Sequence, residues 1–252
     1  TLTALPLFVW MGEILFRTKL SENLFKGLAP WMSRLPGGLI HVNVVGCALF
    51  AAISGSSAAT VATVGKMSIP ELRKRKYPEK LLLGSLAGSG TLGLLIPPSI
   101  ILIIYGVTVQ ESIAKLFIAG IIPGIMIAIF FMFYVIGWSI LNKNIMPKSD
   151  ETFSFSQKIK DSRQLIPVIV LIAAVIGSIY VGIATATEAA SLGVVGALIL
   201  SFFQKSLNKE TFKLSLLGAT KTSCMIAFIL AGSSFLSLAM GFTGLPRNLA
   251  IW

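Results

Sequence analysis

Residues 52–65 read AISGSSAATVATVG and residues 88–99 read GSGTLGLLIPPS, and these two glycine-rich stretches interrupt an otherwise apolar chain. Hydrocarbon offers no hydrogen-bond partners to a polypeptide backbone, so irregular backbone at membrane depth survives only where protein or a water-filled cavity surrounds it. Each stretch also carries serine and threonine hydroxyls. Together they predict a binding site inside a bilayer.

The composition of the chain is typical of a membrane protein. Hydrophobic residues make up 55% of the 252 residues and charged residues only 12%. Several apolar runs are long enough to cross a hydrocarbon core of about 30 Å. The formal net charge of +11 is carried by short segments between these runs. We therefore expect the basic residues to set the topology of the protein in a lipid bilayer, and we expect no nucleic-acid partner.

The first stretch predicts a re-entrant helical hairpin. The apolar run over 39–64 is divided by SGSS at 54–57, and each half is too short to span a bilayer. Two half-length helices joined at a polar tip account for both features. The segment 70–80, PELRKRKYPEK, is too polar to enter lipid. We expect it to form a basic loop at the surface where the hairpin begins.

The second stretch predicts a broken transmembrane helix over 81–107. Three glycines precede a proline pair at 97–98, and proline removes a backbone donor and clashes with the preceding turn.

The chain thus reads as an all-α polytopic membrane protein. Further crossings are predicted at 2–16, 113–141, 165–181, 186–203 and 214–241, with an amphipathic interfacial helix within 17–34 and a polar linker at 142–164.

Basic residues and a short internal similarity predict how these segments are arranged. If the 70–80 loop is cytoplasmic, the other basic segments fall on the same side, and Lys115 and Arg247 lie toward the other face. The motifs LPGGL at 35–39 and LPRNL at 245–249 then lie on opposite faces, as an inverted repeat requires. The predicted organisation is a transmembrane helix plus interfacial arm helix in 1–38, the hairpin in 39–69, the basic loop, broken helix and following crossing in 70–141, a cytoplasmic linker in 142–164, and the start of a second inverted repeat in 165–252.

The two interrupted helices carry groups that bind ions at membrane depth. Hydroxyls at 54–57, Thr91 and the freed carbonyls suit a hard cation such as sodium, and the amides at half-helix N-termini suit an anionic substrate group. The alternative is that these small residues only permit close helix packing. We favour binding for 54–57 and 90–99. Packing is the better explanation for Gly46, Gly106, Gly120, Gly124, Gly193 and Gly196.

Three ionisable residues near the crossings have structural as well as functional explanations. Glu188 lies at a predicted helix start, where it either caps the helix or lies near the substrate or coupling ion, and both interpretations stay open. Glu13 can pair with Arg17 one helical turn later. His41 begins the hairpin, and we expect it to anchor the hairpin rather than relay protons.

Signals of catalysis are weak. The sequence has no HExxH motif, no phosphate-binding loop and no histidine near the serine cluster at 54–57 that would activate a nucleophile. Cys47 and Cys224 lie in apolar stretches without metal-ligand spacing, and we expect both to be packing residues. We therefore expect no enzymatic activity.

Four segments, taken in order, resemble the large membrane subunit of TRAP transporters, the tripartite ATP-independent periplasmic transporters. They are 44–65 (VVGCALFAAISGSSAATVATVG), 70–80, 88–99 and 183–194 (IATATEAASLGV). The resemblance implies uptake of organic acids such as sialic acid or C4-dicarboxylates across a bacterial inner membrane, with Na⁺ as the coupling ion. The implied partners are a small four-helix membrane subunit and a soluble periplasmic substrate-binding protein. The implied fold is an inverted-repeat, elevator-type transporter.

The same resemblance predicts where the ion and the substrate bind. The predicted sodium ligands lie at the hairpin tip and the helix break: Ser54, Gly55, Ser56, Gly90, Thr91, Gly93 and Pro97. The predicted substrate-binding residues are Ser56, Ser57, Thr91, Pro98, Ser99, Thr187 and Glu188. The second hairpin and second broken helix of the family would follow Trp252. We therefore expect this chain to be a central portion of the subunit that holds half of the transport site.

Two other functions fit parts of the sequence. One is a two-component sodium/dicarboxylate symporter that works without a binding protein, and the presence or absence of that protein separates it from a TRAP transporter. The other is a membrane-embedded enzyme that uses the serine cluster at 54–57 as nucleophile. The enzyme is disfavoured because no general base is placed nearby.

Overall fold

The computed structural model describes residues 3–18, 20–147, 155–163, 165–244 and 251. Within these ranges the chain is helical and contains no β-strand. A 3-10 helix, Thr91–Leu94, lies between the fifth and sixth α-helices. The α-helices are α1 (Ala4–Phe16), α2 (Leu20–Met32), α3 (Ile40–Ser54), α4 (Ser57–Lys74), α5 (Glu79–Gly90), α6 (Ile100–Thr108), α7 (Ile113–Leu141), α8 (Phe155–Ser162), α9 (Ile166–Tyr180), α10 (Ala186–Phe203) and α11 (Lys209–Thr243).

Three of these helices, α7, α10 and α11, are long and apolar enough to cross a membrane. Shorter apolar helices are α1, α3 and α9. The predicted crossings 113–141 and 186–203 coincide with α7 and α10. The predicted crossing that began at 214 starts earlier, because the Asn208 side chain caps α11 by accepting the Thr211 N–H at 2.6 Å. The described chain is a multi-pass, all-α membrane protein.

The basic segment 70–80 was predicted to be a loop, and for most of its length that prediction is wrong. Helix α4 continues through Pro70 to Lys74, and α5 begins at Glu79. The charged side chains stabilise the extra helical turn locally, since Arg75 pairs with Glu71 at 2.8 Å in an i, i+4 arrangement. A helix end at a polar surface accommodates these exposed charges as well as a loop does.

The polar linker predicted at 142–164 also contains a helix. Helix α8 occupies 155–162 and packs against α2. The amphipathic helix predicted within 17–34 is α2. The motif at 245–249, including Arg247, lies outside the described residues, so its comparison with 35–39 stays a prediction.

Helix α1 lies at the centre of the core and packs against α3, α10 and α11. Phe8 meets Phe117 of α7 edge to face, with ring centroids 6.0 Å apart. A Cβ added to Gly193 would lie 2.5 Å from the sulfur of Met11, so α10 approaches α1 closely there. Similar close approaches occur at Gly106, Gly120, Gly124 and Gly196, where a packing role was predicted, whereas a Cβ on Gly46 would make ordinary contacts.

Candidate functional site

The hairpin tip is built from two residues between α3 and α4. Gly55 follows the last residue of α3 with φ +59°, a left-handed conformation that glycine adopts without strain. Ser56 is extended and caps α4, its side chain accepting the Ala59 N–H at 3.4 Å. The predicted interruption at 54–57 is therefore confirmed, and two helix ends meet at this tip.

The broken helix lies next to the hairpin tip in the fold. Helix α5 ends at Gly90, the 3-10 helix follows, and α6 begins only at Ile100. Ser99 is fully buried, and its hydroxyl donates to the carbonyl oxygen of Leu94 at 2.8 Å across the interruption. The predicted break is confirmed, and one of its freed carbonyls is satisfied within the break itself.

Tip and break touch through their backbones. The Ile100 N–H donates to the Gly55 carbonyl oxygen at 3.2 Å. A Cβ on Gly55 would lie 2.6 Å from the Pro98 carbonyl oxygen, and one on Gly93 would lie 2.9 Å from the Ser57 nitrogen. These contacts leave no room for side chains. The structure thus brings together the two stretches from which the site was predicted.

Gly90 extends this contact to the second half of the hairpin. A Cβ there would lie 2.0 Å from the Cγ2 atom of Val61 in α4. Two of the predicted site glycines, Gly90 and Gly93, therefore face α4 at close range. Their immediate role is to let α5 and the 3-10 helix approach the hairpin.

The hydroxyl groups around the hairpin tip differ in their hydrogen-bond partners. Ser54 Oγ lies 3.0 Å from Thr60 Oγ1 and donates to the Ser56 carbonyl oxygen at 3.2 Å. Thr91 is exposed, and its hydroxyl donates to the Gly88 carbonyl oxygen at 2.7 Å. Ser57 Oγ is buried without a hydrogen-bond partner among the described residues. Ser57 is therefore the tip hydroxyl with free capacity for a ligand.

Thr187 and Glu188 lie elsewhere, at the start of α10. Glu188 Oε2 accepts hydrogen bonds from the Thr185 N–H and hydroxyl, both at 2.8 Å, and Thr185 Oγ1 accepts the Glu188 N–H at 3.3 Å. This is a capping box, one of the two interpretations left open by the sequence. The extensive contacts of α10 are with α1 and α9. A role of Thr187 and Glu188 in substrate binding stays a prediction.

Gly12 contributes to the site, although no motif in the sequence pointed to it. A Cβ on Gly12 would lie 2.8 Å from the Cα atom of Ser54 and 3.2 Å from its carbonyl oxygen. Helix α1 therefore packs directly on the C-terminal end of α3, behind the tip. A single glycine in an apolar helix is a weak signal, and only the tertiary contact gives it meaning. Its neighbour Glu13 pairs with Arg17 at 3.0 Å, as predicted.

The base of the hairpin is fixed by side chains. His41 Nε2 donates to the Pro36 carbonyl oxygen at 2.8 Å, since a carbonyl can only accept. The Leu39 N–H donates to the Tyr77 hydroxyl at 3.1 Å, and Asn43 Nδ2 donates to Ser85 Oγ at 3.0 Å. The prediction that His41 anchors the hairpin is confirmed.

The chemistry of the site is that of hydroxyl and main-chain oxygens. The described part of the chain contains no cluster of three or more His, Cys, Asp or Glu residues that could hold a metal ion. A cation at the tip would therefore be held by neutral oxygen donors, which suits a weakly held monovalent ion more than a transition metal.

The chain is similar to known proteins along its whole length. A family model described as "Tripartite ATP-independent periplasmic transporter, DctM component" matches residues 1–252. The C4-dicarboxylate TRAP transporter large permease protein DctM of Rhodobacter capsulatus is 33% identical over 264 residues, which cover 99% of this chain and 59% of the relative. The isethionate TRAP transporter permease protein DctMQ of Oleidesulfovibrio alaskensis is 32% identical, with 98% and 39% covered.

A third relative is the sialic acid TRAP transporter large permease protein SiaM of Vibrio cholerae. It is 32% identical over 256 residues, which cover 99% of this chain and 58% of the relative. The chain thus spans about three fifths of the length of two of these relatives and less of the third.

Proposed function

The chain belongs to the family of DctM components of tripartite ATP-independent periplasmic transporters, and from that membership we propose that it carries an organic anion across a bacterial inner membrane. The transport is secondary and is driven by an inward sodium gradient. The contact between the hairpin tip and the broken helix is the observation that carries this proposal. It brings together helix ends and hydroxyls of two interrupted helices, including Ser57 Oγ, which is buried without a partner among the described residues.

The sodium ion binds between tip and break in this proposal. Its ligands come from Ser54, Gly55, Ser56, Gly90, Thr91, Gly93 and Pro97. The hydroxyl of Ser57 is a further candidate, because it is buried without a partner among the described residues and an ion would satisfy it. Gly55 and Ile100 already share a hydrogen bond, so an ion adds to a contact that the fold has formed.

The substrate anion binds on the N-terminal side of α4. The first amides of a helix carry a partial positive charge and suit a carboxylate or sulfonate. Ser56, Ser57 and Ser99 lie beside this helix start or the break that faces it. The three relatives described above are named as transporters of C4-dicarboxylate, isethionate and sialic acid. Each of these three is an organic anion, and we assign the same class to this chain.

Movement of the site follows from how it is held. We infer that the hairpin, α5 and α6 move together against α1 and α9–α11, as in an elevator-type transporter with two inverted repeats. Gly12 supports this division, because the small residue lets α1 contact the end of α3 through backbone alone. A small membrane subunit and a periplasmic binding protein complete the transporter.

Uptake by reconstituted protein tests the proposal. The full-length permease would be placed in proteoliposomes with its small subunit and its binding protein, and uptake of radiolabelled carboxylates measured with and without an inward sodium gradient. We expect uptake that requires both sodium and the binding protein. Sodium-driven uptake without the binding protein would instead identify a two-component symporter. Equal rates of uptake with and without the sodium gradient would contradict the proposed sodium site.

A further inference from the structure

Helices α2 and α8, which we call the arm pair, pack against each other although more than a hundred residues separate them in sequence. The Trp31 indole N–H donates to Ser162 Oγ at 2.7 Å. A Cβ on Gly27 would lie 2.6 Å from the Cγ atom of Leu165, so α2 lies tightly on the α8–α9 connection. The arm pair therefore forms a close tertiary contact, and both of its helices carry charged side chains.

A nearly buried lysine lies inside this contact. Lys158 is 6% exposed, and its ammonium nitrogen is 5.5 Å from the centroid of the Trp31 ring. The ion pairs formed among the described residues join Arg17 to Glu13, Arg73 to Glu79 and Arg75 to Glu71, and none includes Lys158. The aromatic face offsets only part of the penalty for burying a charge. Among the described residues, this ammonium has no anionic partner.

The surroundings of Lys158 are basic. Five cations belong to the arm pair and the residue or two that follow each helix, against two acids, Glu22 and Asp161. The cations other than Lys158 are all exposed: Lys26, Arg34, Lys160 and Arg163. The net positive charge of this surface therefore favours binding of an anion whose negative charge faces the exposed cations.

The arm pair also has an apolar side. Trp31 is 44% exposed and Ile159 is 49% exposed. A helix surface with lysines beside exposed tryptophan and isoleucine is typical of a position in the headgroup region of a membrane. In that region the available anion is the phosphate of a lipid.

We propose that the arm pair binds the phosphate of an anionic phospholipid, with Lys158 and Trp31 at the centre of the site. The phosphate oxygens supply an anionic partner for Lys158, and the exposed cations select a headgroup with net negative charge. Trp31 holds the ammonium from its other side and keeps α2 on α8. This inference goes beyond the proposed transport and does not depend on the identity of the substrate.

Native mass spectrometry of the full-length permease in detergent tests this site. Phosphatidylglycerol and phosphatidylethanolamine would be titrated separately onto wild type, Lys158→Gln and Lys158→Arg. Wild type is expected to bind phosphatidylglycerol more tightly than phosphatidylethanolamine. Lys158→Gln should weaken phosphatidylglycerol binding about fivefold, the effect of one cation near a membrane surface, and Lys158→Arg should restore most of it.

Lys213→Gln is the matched control, because Lys213 is an exposed lysine on α11 and its loss changes the net charge equally. It should leave phosphatidylglycerol binding unchanged. Equal losses in Lys158→Gln and Lys213→Gln would overturn the site, as would equal binding of the two lipids by wild type. Displacement of the lipid by millimolar inorganic phosphate would show a site for free anions and reject the lipid.

If Lys158→Gln does not fold, Trp31→Phe decides the question. Phenylalanine keeps an aromatic face over the ammonium but loses the hydrogen bond to Ser162. It should retain phosphatidylglycerol selectivity, and its loss of selectivity while folded would reject Lys158 as the centre of the site.

Discussion

The backbone N–H of Ile100 donates a hydrogen bond to the carbonyl oxygen of Gly55 across 3.2 Å. This bond joins the first turn of α6 to the residue that ends α3. The positive end of one helix dipole thereby meets the negative end of another, which is a favourable arrangement. The hairpin tip is closed against the broken helix in this structure.

Gly55→Ala should abolish transport and lower the melting temperature. The residue has φ +59°, and a Cβ would lie 2.6 Å from the Pro98 carbonyl oxygen. The left-handed conformation alone costs a non-glycine residue about 1–2 kcal/mol, and relief of the clash separates the tip from the break. Thermal unfolding and carboxylate uptake measure the two effects.

Gly84→Ala is the control for that substitution. Gly84 lies in α5, and no heavy atom lies within 4 Å of a Cβ built there. Alanine should raise helix stability slightly, by up to about 1 kcal/mol, and leave uptake unchanged. If both alanine variants behaved alike, the contact between Gly55 and Pro98 would not matter.

Gly93→Ala should weaken the response to sodium more than it weakens the fold. A Cβ on Gly93 would press on the Ser57 nitrogen and the Ser56 carbonyl carbon, at 2.9 and 3.1 Å, so the 3-10 helix must move away from the start of α4. The sodium concentration that gives half-maximal uptake should rise about tenfold. Gly137→Ala, in open space on α7, should not change it.

Ser54→Ala and Ser57→Ala should separate a structural hydroxyl from a ligating one. Ser54 is bonded to Thr60, so its alanine variant should lose about 1 kcal/mol of stability even without sodium. Ser57 Oγ is buried without a partner among the described residues, so its removal should leave stability in sodium-free buffer unchanged or higher. The rise in Tm caused by added sodium should shrink in Ser57→Ala. A full sodium-induced rise in that variant would exclude Ser57 as a ligand.

Thr185→Ala should destabilise the start of α10 by about 1 kcal/mol, because the N-cap side chain is lost. Glu188→Gln keeps an oxygen that can accept the Thr185 N–H, so its melting temperature should stay close to that of wild type. If the carboxylate only caps α10, uptake by this variant should match that of wild type. A well-folded Glu188→Gln protein with a large increase in KM would place this carboxylate in substrate binding after all.

The sequence predicted those features of the fold that depend on local chemistry. Helix α7 coincides with its predicted crossing because a long apolar run, with Lys115 as its one charged residue, lies between the Ser112 cap and Asn142. The break was found because paired proline removes backbone donors and clashes with the preceding turn, and the hairpin tip was found because it divides an apolar run into halves too short to span a bilayer.

Features that depend on tertiary contacts were not predictable. Gly12 matters only because α1 crosses the end of α3. The contact of Trp31 with Ser162 joins segments far apart in sequence. Helix α4 runs past Pro70 to Lys74, and Arg75 pairs with Glu71 beyond the proline.

The contact at the hairpin tip is made by main-chain atoms and glycines, whereas the base of the hairpin is held by His41, Tyr77 and Asn43. Closure of the tip therefore does not require any particular side chain. If the chain transports anions as proposed, substitutions around the site would alter which anion fits while the spacing of glycines and prolines preserves the contact between tip and break. Such a division would let one coupling mechanism serve many cargoes.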